Sequence, residues 1–153
     1  MSVKSAIARV LRSFGQGPQA KPRVVFNRAH IFRELRPIPL RALTEEEMGW
    51  VRQILGASKE FKGLTVPQVF ANSECPCGTC RTVGLEPIKL PNWEGKSGYL
   101  GGLTIHTRDR SPIQVLLHSR DGYLNEMEVI WYYFPEKFPE SWEEVSRSVD
   151  VPK

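Results

Sequence analysis

Three segments late in the chain alternate apolar and polar residues with a period of two. They are LTIHT (103–107), IQVLLHS (113–119) and YLNEMEVIWYY (123–133). Alternation of this kind suits strands with one buried face, because successive side chains point to opposite sides of a sheet. Arg120-Asp121-Gly122 is too short to do anything but reverse the chain, so the last two segments form a hairpin. Matching their apolar faces places Met127 and Val129 beside Val115 and Ile113, with Gly122 absorbing the offset.

A helix precedes these strands. Thr44 is suited to cap it, and Glu47, three residues on, completes a capping box. Glu45, Glu46 and Glu47 favour the positive end of the helix dipole. Met48, Val51, Ile54 and Leu55 then form a helical apolar stripe, and Gly56 is the expected stop. Pro37 and Pro39 hold 36–43 extended. VPQVFANS (66–73) and RTVGLEPIKL (81–90) read as further strands. PNWEGKSGYLGG (91–102) reads as loop, and 140–147 as a helical turn opened by Ser141. The pattern predicts an α+β fold: an antiparallel meander with one face covered by the helix near 45–56.

The chain of 153 residues is 41% hydrophobic and 25% charged, enough to build one core. Its net charge of +4 is unevenly spread. Residues 1–33 hold seven basic groups and no acid; the rest of the chain sums to −3. Residues 2–14 fit an amphipathic helix, with Val3, Ile7, Val10, Leu11 and Phe14 on one side and Lys4, Arg9 and Arg12 on others. GQGPQAKP (15–22) reads as a linker. The expected organisation is therefore a basic helix and linker over 1–22 and one domain over 23–153. The basic helix has the capacity to rest on an anionic membrane surface. The domain gives no strong nucleic-acid signal, since its own balance is acidic. The start lacks the apolar block of a secretory signal, and three closely spaced cysteines suit a reducing compartment, so a cytoplasmic location is expected.

All three cysteines lie in SECPCGTCRTVGLEP (73–87). Cys77-Gly-Thr-Cys80 is a C-x-x-C, but the β-branched Thr82 and Val83 that follow indicate a strand. A redox cysteine normally sits at a helix N-terminus instead. Zinc needs four ligands, and Cys75, Cys77 and Cys80 supply three. The fourth would come from His30, His106, His118 or water. The preferred reading is a structural Pro-Cys-Gly turn with no cofactor, the thiols acting as small apolar groups. Zinc at Cys75, Cys77 and Cys80 is the alternative.

A second set comes from the polar side of the strands. Gln114, His118, Glu126 and Glu128 fall on one face, and His106 is in phase to join them. Two carboxylates with imidazoles nearby suit acid–base work or metal binding. The plainer reading is the solvated side of a sheet.

Taken together, Leu43, Thr44, Glu46 and Glu47, the turn residues Cys75, Cys77, Gly78 and Cys80, and Gly122, Leu124, Met127 and Glu128 form a pattern. It resembles a group of small bacterial α+β proteins with a Cys-x-Cys-Gly turn and a C-terminal Gly-x-Leu-x-x-Leu-Glu strand. The resemblance spans about residues 40–142. It departs from that pattern at Thr79, inserted before Cys80. It implies the fold and no activity. The functional expectation is a non-catalytic binding or interaction module with a protein partner, toxin-neutralising (immunity-like) by analogy of size and fold. Metal binding at the cysteine turn is the alternative. An enzyme built on His106, His118, Glu126 and Glu128 is the second alternative.

Overall fold

The computed structural model describes residues 34–108, 111–131 and 137–153. The expected helix over 2–14 and the 15–22 linker lie outside the described residues. One antiparallel sheet of seven strands and one helix make up the described fold. The strands are β1 (Arg36–Ala42), β2 (Phe70–Glu74), β3 (Val83–Lys89), β4 (Gly98–Thr107), β5 (Ile113–Arg120), β6 (Tyr123–Trp131) and β7 (Glu144–Asp150). The helix α1 (Glu45–Ala57) runs between β1 and β2, followed by a single 3-10 turn, Lys59–Phe61. Among the described residues, no helix is long and apolar enough to cross a membrane.

The strand order is β1-β2-β3-β6-β5-β4-β7. It is therefore two three-stranded units, β1-β2-β3 and β6-β5-β4, joined edge to edge, with β7 added beside β4, rather than one continuous meander. The junction is the antiparallel pairing of β3 with β6, which sets Val83 opposite Met127 and Gly84 opposite Glu126. Hairpin β5–β6 pairs Val115 with Val129 and Leu117 with Met127, so Ile113 faces Trp131. The register expected from sequence was off by one apolar pair, because the irregularity falls between His118 and Ser119.

Helix α1 starts where its cap dictates. Thr44 Oγ1 accepts from the Glu47 N–H at 3.2 Å, and the Glu47 carboxylate accepts from the Thr44 N–H at 2.9 Å. Its far end runs past Gly56 to Ala57, and Ser58 caps it. Met48, Val51, Ile54 and Leu55 are buried and belong to one core with Leu103, Ile105, Val115, Leu117, Met127 and Val129. The helix lies over β4 and β7, and Arg147 Nη1 of β7 donates to Gln53 Oε1 at 2.9 Å.

Two segments differ from expectation. Residues 98–102 are strand rather than loop. Their glycines let α1 approach the sheet: a Cβ on Gly101 would sit 2.9 Å from Ile54 Cγ2 and 3.0 Å from the Asp150 carbonyl oxygen. Residues 144–150 are strand β7, not a helical turn. Six backbone partners on β4, from Gly102 to Thr107, outweigh the local preference that Ser141 suggests.

Gly101→Ala is expected to destabilise the domain by about 1–3 kcal/mol, the usual cost of overpacking a tight contact. Chemical denaturation measures it. A value near zero would mean that Ile54 does not rest on the β4 backbone.

Candidate metal centre and its cleft

The turn between β2 and β3 is closed by the Cys75 N–H donating to the Thr82 carbonyl at 3.0 Å. Within it Gly78 has φ +70°, the left-handed region that a side chain disfavours. Pro76 before and Gly78 after Cys77 fold the backbone so that the thiols converge. The Sγ atoms of Cys75, Cys77 and Cys80 all lie within 4.8 Å of one another, with Cys77 and Cys80 at 3.3 Å. Three thiolates about 2.3 Å from one tetrahedral ion would stand about 3.8 Å apart. The observed spacings, from 3.3 Å to no more than 4.8 Å, bracket that value. Among the described residues, this is the one set of three or more such donors gathered so closely.

The three thiols are not equivalent. Cys75 is buried, 8% exposed, whereas Cys77 and Cys80 are half-buried. Burial pushes the Cys75 thiol up to about 12, with neighbouring Cys80 adding to the rise. Burial also acts to raise Cys77, but hydrogen bonds to its sulfur outweigh it and bring the thiol down to about 6. The principal donors are Thr79 Oγ1 at 3.3 Å and the Thr79 N–H at 3.4 Å. Burial raises Cys80. Thr79 is thus what steadies a thiolate at Cys77. The stabiliser is this pair of hydrogen bonds and not a helix N-terminus, since strand β3 follows the turn as Thr82 and Val83 indicate.

The turn forms one wall of a cleft of about 630 Å³. Cys75, Cys80 and Arg81 line it together with Arg36, Arg41 and Thr44. Glu47 sits at its base, its side chain 1% exposed. Its carboxylate accepts from Arg41 through both guanidinium arms, at 2.9 and 3.1 Å, and from Arg81 at 3.5 Å. Burial acts to raise the Glu47 carboxyl. The Arg41 and Thr44 hydrogen bonds and the two guanidinium charges together hold it below the usual carboxylate range. Arg81 also donates to Glu46 at 3.2 Å. Its guanidinium stacks on Trp50 at 5.4 Å and on Phe138 at 5.2 Å. The Phe138 N–H in turn donates to the Thr79 carbonyl at 3.0 Å, tying the segment before β7 to the cysteine turn. Sequence reasoning missed Arg36, Arg41 and Arg81, which come together only through the fold.

The polar-face residues are arranged differently. Gln114, His118, Glu126 and Glu128 do share the face away from α1, with His118 opposite Glu126. His118 Nε2 lies 3.2 Å from Glu128 Oε2, and the Tyr99 ring lies beside the imidazole. Burial, together with the Glu128 charge, raises the Glu126 carboxyl, while His118 and Arg120 oppose the rise. His106 does not join them. It stands near the other end of β4, opposite Ser146, whereas His118 is opposite Tyr99. Seven residues of strand put the two histidines about 20 Å apart. Neither is a fourth ligand in the cysteine cluster, and His30 lies outside the described residues.

No family model, curated protein or solved structure matches the chain.

Two outcomes follow from this geometry. In metal-free native protein, iodoacetamide is expected to label Cys77 first at neutral pH, with a rate that rises through about pH 6 as its thiolate forms, while Cys75 stays silent. Equal labelling of Cys75 and Cys77 would contradict the assignment. Glu47→Gln is expected to cost about 2–3 kcal/mol at neutral pH, the scale of hydrogen bonds to a buried charge. Because the folded-state Glu47 carboxyl is lowered, that stabilisation is present above the unfolded carboxylate range and disappears as pH falls through the folded value. The gap between wild type and variant should therefore close in acid, as followed by urea melts across pH.

Proposed function

We propose that this protein binds a thiophilic metal ion, zinc in the first instance, at Cys75, Cys77 and Cys80. The observation that carries the proposal is the convergence of three sulfurs within 4.8 Å on one short turn. Thiolate donors select soft or borderline ions such as zinc over calcium or magnesium. The ion would clip β2 to β3 at the turn whose Thr79 carbonyl receives Phe138. In this reading the metal adds folding energy where β2 meets β3: β2, with five residues, is the shortest of the described strands, and its register with β3 holds at three positions, Ala71, Ser73 and Glu74.

An interaction module, in the manner of small toxin-neutralising proteins, remains a second reading. It is favoured by the two outer strands. Val145 on β7 is 60% exposed and Leu40 on β1 is 59% exposed, so each edge offers apolar side chains beside a strand backbone.

The metal reading predicts about one equivalent of zinc per chain. Chelation should lower the melting temperature. Cys77→Ser or Cys80→Ser should weaken zinc binding by more than the roughly 10–100-fold that loss of an outer partner costs. Elemental analysis with a competing chromophoric chelator measures both. Zinc-free protein that gains no stability on adding zinc would reject the reading.

A further inference from the structure

We infer that the cleft beside the cysteine turn takes a small ligand bearing a carboxylate or phosphate group, which completes the coordination of the ion held by Cys75, Cys77 and Cys80. The inference rests on the metal reading above and says what shares that site.

Three cysteines give three donors, and zinc is ordinarily four-coordinate. Cys75 and Cys80 both line the cleft, so an ion between the sulfurs borders it. The cleft volume of about 630 Å³ lies within the range of small-molecule sites, about 300–1,000 Å³. Its lining carries three guanidiniums, Arg36, Arg41 and Arg81, beside the carboxylates Glu47 and Glu74, and Glu46 meets Arg81 from just outside the lining. Guanidinium forks match carboxylate and phosphate oxygens in a way that ammonium groups do not.

The three arginines differ in how free they are. Arg41 is spent on Glu47, which it grips with both arms. Arg36 pairs with Glu74, but at a position where its own side chain is 65% exposed, so the pair exchanges readily with a competing anion. Arg81 is the pivotal residue. Trp50 and Phe138 hold its guanidinium in place; both of its arms meet carboxylates, Glu46 at 3.2 Å and Glu47 at a long 3.5 Å, which leaves three of the five N–H donors of its fork outside these contacts. It also adjoins Cys80 in sequence and in the cleft wall. An oxyanion on the open side of the metal is therefore within the reach of a preorganised cation, with Arg36 at the mouth. A ligand so placed exchanges a water for an anionic oxygen at the ion; no bond in the protein is made or broken.

Cobalt(II) substitution tests this. Full-length protein is loaded with cobalt, and thiolate-to-cobalt charge-transfer absorption reports the cysteine site. Inorganic phosphate and acetate are then titrated separately while the visible d–d bands are recorded. The expected result is a saturable band shift with at least one of the two, the responding anion telling phosphate from carboxylate. Arg81→Gln should weaken that response about tenfold when it is read per cobalt bound through thiolates, and Arg36→Gln, at an exposed position, should weaken it less. Bands that neither anion moves, with cobalt bound through thiolates, would overturn the inference and leave the metal reading standing. An anion response undiminished in both arginine variants would overturn the cleft as its location. Failure of cobalt to give charge-transfer bands would reject the metal reading itself, and this inference with it.

Discussion

The carboxylate of Glu47 is the joint on which three parts of the molecule meet. It closes the capping box that starts α1, accepts both arms of Arg41 at the end of β1, and receives Arg81 from the foot of the cysteine turn. A buried carboxylate without partners would be costly, and removing one partner from such a set costs more than the pair contributes. The sequence therefore has to bring two arginines to this place, and the fold of the cysteine turn follows from that demand. Arg81, once placed, is roofed by Trp50 and Phe138, and the Phe138 N–H closes on the Thr79 carbonyl. The aromatic ladder continues through Trp142, whose ring meets Phe138 edge-on. Helix start, sheet edge, cysteine turn and C-terminal segment are in this way a single connected unit.

That unit explains why a turn with so little regular structure can hold three sulfurs together. Gly78 supplies the left-handed bend, the Cys75–Thr82 backbone bond closes the loop, and Arg81 anchors its exit. A metal at this point would add to a framework already in place. The partial exposure of Cys77 and Cys80, beside buried Cys75, is what separates this turn from a purely apolar packing of thiols. Thr79 acts as the hydrogen-bond donor that steadies the Cys77 thiolate.

The parts of the fold written in local chemistry were legible in the sequence. Thr44 and Glu47 announce α1 because a capping box needs only four consecutive residues. The alternation in β5 and β6 is equally local, and so is their tight turn. What depended on distant partners was not legible. Strand β7 carries only Val145 and Val149 as apolar residues, and its structure comes from pairing with β4. Gly101 and Gly102 look like loop residues, yet here glycine serves close approach of Ile54 and of the Leu116 side chain. The junction of β3 with β6 joins segments some forty residues apart, and no short pattern encodes it. The cleft is the extreme case: positions 36, 41 and 81 share no motif, and their charge looks like ordinary surface arginine until the fold assembles them. Conversely, His106 and His118 share a face in the strand alternation, but the length of β4 keeps them apart.

The central claim is that Cys75, Cys77 and Cys80 form one metal centre. X-ray absorption at the zinc edge of zinc-loaded full-length protein tests it most directly. Three sulfur scatterers at about 2.3 Å with one lighter ligand nearer the ion are the predicted first shell. A shell made only of oxygen or nitrogen, or one with a single sulfur, would show that the three thiols do not act together and would contradict the account.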